Sequence, residues 1–257
     1  MPQSIYFLSD AHLGHGDPKT ERKKEDALIS FLRGLHGEAE ALYLVGDLFD
    51  FWFEYRSVVP RKHARVLFEI YRLVVAGVRV VYVAGNHDFW MGPYLSEQVG
   101  VELSFTPVEA RHQGVLMHIA HGDGLSSRDA GYRLLRGVLR SPVCIASFRT
   151  IHPDLGAFLA KLASRSSRWG EERAHRPFRL DQGYLSAARD KFAQGFDAVI
   201  FGHVHRPVHR TEPKTLIVLG DWMKHFSYAV LEDGKFELRT WGEPGRASRG
   251  VIPRDGS

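Results

Sequence analysis

Val80-Val81-Tyr82-Val83-Ala84-Gly85-Asn86-His87-Asp88 is the stretch on which the reading of this chain turns. Five apolar residues, mostly β-branched or aromatic, have the length and composition of a strand. They break at a glycine into an amide, an imidazole and a carboxylate. Outward from there the same arrangement recurs. Ile5–Leu8 runs into Ser9-Asp10-Ala11-His12, and Ala41–Val45 into Gly46-Asp47. Leu116–Ala120 runs into His121-Gly122-Asp123, and Ala198–Phe201 into Gly202-His203-Val204-His205. A sixth run, Leu216–Leu219, leads to Gly220-Asp221-Trp222. Such near-continuous apolar runs predict strands buried on both faces of a sheet. Glu21–Leu35 and Arg61–Val75 carry apolar residues at helical spacing. Strands alternating with helices make this an α/β layered fold. Near the end, Tyr228–Leu231 and Phe236–Thr240 flank Asp233-Gly234, a hairpin signal.

The segment from about 125 to 193 breaks the alternation. Arg128–Arg140, Pro153–Ser164 and Gln182–Phe192 read as helices with no strand between them, which predicts a helical insertion lying over the sheet. The expected organisation is a single domain over residues 1–241 that contains this insertion, followed by a polar, mobile tail at 242–257. Between Leu125 and Lys191, thirteen Lys and Arg outnumber six Asp and Glu, so the insertion suits an anionic partner. Aromatics are not interleaved with those basic residues as a base-stacking surface requires, and no nucleic-acid partner is expected. No stretch has the ~18 consecutive apolar residues of a membrane span, and the chain does not open on a secretory leader pattern. The single cysteine, Cys144, excludes an intrachain disulfide and suits a reducing cytoplasm. Its apolar neighbours predict a buried core position.

In open α/β sheets, ligands bind beyond the carboxyl ends of strands. Five predicted strands therefore deliver Asp10, His12, Asp47, Asn86, His121, His203 and His205 to one edge. Glycines beside Asp47, Asn86, His121 and His203 allow sharp turns and close approach. Carboxylate, amide and imidazole donors without thiolate suit borderline divalent ions such as Mn²⁺, Fe²⁺ or Zn²⁺. Seven donors are too many for one tetrahedral ion. They suit two ions that share a carboxylate and clamp a phosphoryl oxygen during in-line attack.

The ordered set Asp-x-His, Gly-Asp, Gly-Asn-His-Asp, His-Gly-Asp and Gly-His-x-His, spanning Asp10 to His205, resembles the calcineurin-like metallophosphoesterase superfamily. The resemblance implies a four-layer α/β/β/α sandwich with a helical cap insertion. It implies Asp10, His12 and His205 on one metal, Asn86, His121 and His203 on the other, and Asp47 bridging. Mn²⁺ is the expected ion. His87 resembles the family's non-ligand histidine that stabilises the transition state or protonates the leaving oxygen, and Asp88 would orient it through a hydrogen bond.

Within the superfamily, Gly46–Trp52, Asp129-Ala130-Gly131-Tyr132-Arg133, Gly202–Pro207 and Gly220-Asp221-Trp222 resemble the UDP-2,3-diacylglucosamine pyrophosphatases of lipid A synthesis. That resemblance implies a nucleotide-linked glycolipid substrate, cleaved to UMP and a diacylglucosamine 1-phosphate. It also implies a cap over the acyl chains, and a cytoplasmic protein touching the inner membrane surface. Asn86, His87, Asp129, Tyr132, Ser166 and Arg173 would contact substrate. The lipid A branch carries Arg where this chain has His87. A second reading therefore stays open, a cytosolic phosphodiesterase or phosphatase acting on another nucleotide or phosphoester.

Overall fold

A computed structural model of the chain describes residues 4–126, 136–160, 162, 180–212, 214–242 and 250–251. The expected strands form, with ends shifted by a residue or two. They are β1 (Ser4–Leu8), β2 (Ala39–Val45), β3 (Arg79–Val83), β6 (Val115–Ala120), β7 (Ala198–Phe201), β9 (Thr215–Val218), β10 (Ser227–Glu232) and β11 (Lys235–Thr240). Four short strands were not anticipated: β4 (Glu102–Ser104), β5 (Val108–His112), β8 (Val208–Arg210) and β12 (Gly250–Val251). β12 pairs with β11 inside the segment expected to be a mobile tail.

The strands make two sheets, ordered β12-β11-β10-β1-β2-β3-β4 and β5-β6-β7-β9-β8. β1 to β4 run parallel in the first, and β6, β7 and β9 run parallel in the second. Side-chain alternation along each strand sends neighbouring residues to opposite faces, and three cores result. Ile5 and Phe7, Tyr43 and Val45, Val81 and Val83, and Ala198 and Ile200 pack between the sheets. Their neighbours Tyr6, Leu8, Leu42, Leu44 and Tyr82 face two helices, α1 (Pro18–Gly34) and α2 (Ala64–Val75), which present Phe31, Leu32, Val66, Ile70 and Leu73. Val199 and Phe201 face the opposite way, toward Tyr184 and Ala188. The result is the α/β/β/α sandwich.

α1 begins where Asp17 accepts the amides of Lys19 and Thr20 beside Pro18, a preformed first turn. In the insertion, residues 136–139 and 153–160 are helical, and α3 (Pro142–Arg149) lies between them. α4 (Gln182–Ala193) closes the segment under an Asp181 cap. No strand occurs among the described residues of this segment. α3 was not anticipated, and none of its residues is fully buried, so Cys144 is half-buried and not the core residue expected. Among the described residues, no helix is long and apolar enough to cross a membrane.

Candidate metal centre

β1, β2 and β3 of one sheet and β6 and β7 of the other end at the same rim, and each is followed by one or two of the sequence-predicted donors. The backbone there is unusual. Asp10, His12, Asp47, His203 and His205 all have positive φ, between 42° and 68°, and they are five of the eight such non-glycine residues described. A non-glycine residue in this region costs roughly 1–3 kcal/mol and persists only where surrounding structure fixes it. Here three strand-end loops are stitched together: Asp10 N donates to Gly46 O at 3.1 Å, His12 N to Asp47 O at 2.9 Å, and Trp222 N to Asp10 O at 3.1 Å. Gly85 serves close approach, not a turn, since a Cβ there would collide with the Asp47 carboxylate.

The donors gather in two adjoining groups. Ligand atoms of Asp10, His12 and His205 lie within 4.8 Å of one another, as do those of Asp47, His121 and His203. His12, Asp47 and His87 form a third, overlapping set. Asp10 Oδ2 accepts the His203 amide at 2.8 Å, which turns Oδ1 toward His205 Nε2 at 3.2 Å and His12 Nε2 at 3.7 Å. Asp47 Oδ1 accepts the His87 amide at 2.8 Å, while Oδ2 faces His121 Nε2 at 3.3 Å and His12 Nε2 at 3.7 Å. Asp47 thus stands between the groups. Asn86 Oδ1 lies 3.0 Å from His121 Nε2.

These contacts suit a cation better than they suit one another. His121 Nδ1 is 2.9 Å from the Val45 carbonyl, which can only accept, so Nδ1 carries the proton. In the neutral form that a metal ligand needs, its Nε2 would point a lone pair at two further oxygens. His12 Nε2 likewise faces His205 Nε2 at 3.1 Å, and Asp10 Oδ1 is buried without a well-directed hydrogen bond. The charge balance agrees. Burial alone would push the His12 imidazole down, but Asp10, Asp50 and Asp47 lift it to about 9. Burial is likewise outweighed at His121, chiefly by Asp47, which raises it well above the ordinary histidine value. A cluster that pulls protons onto two buried imidazoles is short of positive charge, and divalent cations fit that deficit.

His87 is oriented otherwise than expected. Its Nδ1 donates to the backbone carbonyl of Asp50 at 3.0 Å, with the Asp50 carboxylate 3.7 Å away. Asp88 makes no bond to it. The Asp88 side chain turns inward, fully buried, where it accepts from the Tyr82 hydroxyl, Gly85 N at 2.8 Å and Phe49 N at 3.4 Å. Asp88 is therefore a tie between the β2 and β3 loops and not the group that orients the histidine. Asp50, also 3.6 Å from His12 Nδ1, is the residue sequence reasoning missed. Its place one residue beyond Asp47-Leu48-Phe49 was the available signal. Asp129, Tyr132, Ser166 and Arg173, expected to contact substrate, lie outside the described residues.

The profile of the calcineurin-like phosphoesterases matches residues 4–207. The chain belongs to that family. It is 34% identical over 250 residues to UDP-2,3-diacylglucosamine hydrolase of Porphyromonas gingivalis, covering 90% of this chain and 94% of that protein. It is 32% identical over 231 residues to the enzyme of the same name from Neisseria meningitidis serogroup B, covering 89% and 94%. With that of Ectopseudomonas mendocina it shares 30% over 236 residues, covering 90% and 95%. As a calcineurin-like phosphoesterase, the chain is a metal-dependent phosphoester hydrolase. Two residues beyond His87 in this phosphoesterase, a cavity of about 290 Å³ opens between Phe53, Phe89, Trp90, Met91 and Ile145, with Arg140 and Arg149 in its lining.

Proposed function

We propose that this phosphoesterase holds two divalent ions, most suitably Mn²⁺. Asp10, His12 and His205 would ligate one, Asn86, His121 and His203 the other, with Asp47 between them. It would use them to hydrolyse the diphosphate of UDP-2,3-diacylglucosamine to UMP and 2,3-diacylglucosamine 1-phosphate. The observation that carries this is the conjunction of that converging donor set with relatives of this name matched along nine-tenths of the chain.

When bound, the ions would supply Lewis-acid polarisation of phosphoryl oxygens and a nucleophile usable at neutral pH. The protein's part begins with Asp50, whose carbonyl holds the His87 Nδ1 proton and leaves Nε2 for the cleft. Burial lowers the His87 imidazole from its ordinary value against the pull of Asp47, so the ring is mostly neutral at pH 7. In that form Nε2 can take a proton from solvent and give it to the oxygen that leaves when the P–O–P bridge breaks. Asp47 Oδ1 fixes the His87 backbone, so the same carboxylate sets the distance between the proposed ions and the proposed proton carrier.

The segment at 125–193 would act as a cap within a single domain of residues 1–241, with its arginines available to phosphate. A cavity reaching under α3, walled mostly by apolar side chains with Glu54, Arg140 and Arg149 among them, supports acyl chains as its contents. Val138, Val143, Leu155, Phe158, Leu159 and Leu162 are exposed on the same segment, among basic residues. That combination favours shallow, reversible contact with an anionic bilayer surface, here the cytoplasmic face of the inner membrane. The test is UMP release from UDP-2,3-diacylglucosamine with added Mn²⁺, with simple phosphodiesters run as competitors. Fast, metal-dependent release is expected. Hydrolysis of the simple esters without UMP release would reassign the substrate to another nucleotide or phosphoester.

A further inference from the structure

Arg140 follows the helical residues 136–139, and its guanidinium reaches three places at once. Nη2 donates to the Gly85 carbonyl at 3.2 Å and lies 3.6 Å from Asp123 Oδ2. The guanidinium carbon sits 5.0 Å from the centroid of the Phe89 ring. Gly85 and Phe89 bracket Asn86, His87 and Asp88, so one side chain grips both ends of that loop. Asp123 belongs to the neighbouring loop that carries His121. Adjacent residues add to the grip. The Leu139 carbonyl accepts Trp90 Nε1 at 2.8 Å, and Arg136, whose carbonyl accepts Arg140 N, donates to Asp123 Oδ2 at 2.9 Å.

The gripped loop has little slack. Gly85 lies against the Asp47 carboxylate, with no room for a Cβ, and the His87 amide donates to Asp47 Oδ1. A shift of the Gly85 peptide therefore moves Asn86 and His87 relative to Asp47. Arg140 Nη2 donates to the Gly85 carbonyl and faces the Asp123 carboxylate while the guanidinium carbon lies over the Phe89 ring. An ammonium at the same place is a point charge and cannot do all three.

We propose that Arg140 is a positioning residue that locks the 85–89 loop against the 121–123 loop, so that docking of the insertion and alignment of Asn86 and His87 are one event. Its consequence for turnover rests on the hydrolase reading above; its consequence for the loop does not.

Hydrogen exchange of the amides in residues 85–89, compared between wild type, Arg140→Gln and Arg140→Lys, tests the lock directly. Both substitutions are expected to speed exchange at His87 by roughly tenfold or more while α1 stays unchanged. Beside this, Mn²⁺-dependent hydrolysis of bis(p-nitrophenyl) phosphate, too small to lean on the insertion, should lose ~10–100-fold in kcat with KM within about threefold. Unchanged exchange in both variants would overturn the proposal. So would full recovery by lysine, or a raised KM with kcat intact, which would mark Arg140 as a substrate contact. If Arg140→Gln also speeds exchange in α1, global unfolding is the cause and Arg140→Lys decides. A wild type that hydrolyses no phosphodiester would sink the hydrolase reading, and the exchange data would still settle the lock.

Discussion

His12 Nε2 and His205 Nε2 face each other at 3.1 Å although 193 residues separate them in the chain. A neutral imidazole pair at that distance can form one hydrogen bond, but these rings also converge on the buried Oδ1 of Asp10. The same pattern recurs at His121, Asn86 and Asp47. Loops from five strands meet here, three of them through backbone held in the left-handed region. Strain of this kind at a cluster of lone pairs is what a binding site for cations requires of its protein.

His87→Ala should retain the metal content of the wild type and lower kcat by about 10²–10⁴-fold if proton transfer is its role. Steady-state turnover with metal analysis of the same samples checks this. Full activity in the variant would remove His87 from the chemistry.

Asp88→Ala should act on stability first. It leaves the Tyr82 hydroxyl and the Gly85 and Phe49 amides without their shared acceptor in a fully buried place. A loss of roughly 2–4 kcal/mol is expected, since each buried donor left unmade costs ~1–3 kcal/mol and neighbours relax. Urea unfolding reads it as a lowered midpoint. If Asp88→Ala unfolds like wild type but loses turnover, the inward tie is not its role.

Acid should weaken the fold through His63, with His118, which burial also holds at about 4, acting in the same direction. Burial, aided by Lys62 and Lys24, pushes the His63 imidazole down to about 4. In the unfolded chain it titrates near the ordinary 6.5. Below that value the unfolded state takes up a proton the folded state refuses. The stability present above pH 6.5 is therefore lost progressively as pH falls toward 4. The full effect is on the order of 3 kcal/mol, from 1.36 kcal/mol per pH unit. Unfolding midpoints at pH 7, 5.5 and 4.5 measure it, and the slope should flatten in His63→Leu. An equal slope in that variant would assign the acid sensitivity elsewhere.

What the sequence made legible follows from burial. β1, β2, β3 and β7 are covered on both faces, so their apolar runs stand out, and the donors just beyond them are conspicuous for type and place. β4 and β5 are short, with exposed or half-exposed residues, and leave no such run. α3 had a start signal, Ser141 capping Cys144 N with Pro142 at the first turn, but its apolar residues merged with those around it. The orienting group of His87 was hidden for a different reason. Asp88 is adjacent in sequence, yet adjacent side chains on a tight loop point apart, and only the fold shows that Asp88 turns in while the Asp50 carbonyl comes across from the loop after β2. Arg140 was visible only as one charge among many in a basic segment.

Metal stoichiometry tests the central reading most directly. The protein is stripped with EDTA, refilled with Mn²⁺, freed of excess ion by gel filtration and measured by elemental analysis beside Asp47→Ala. Two ions per wild-type chain are expected, with hydrolysis restored in step. The variant should hold at most one ion and lose nearly all turnover. Fewer than one ion in the wild type, or hydrolysis that persists through EDTA, would contradict a dimetal centre at this rim.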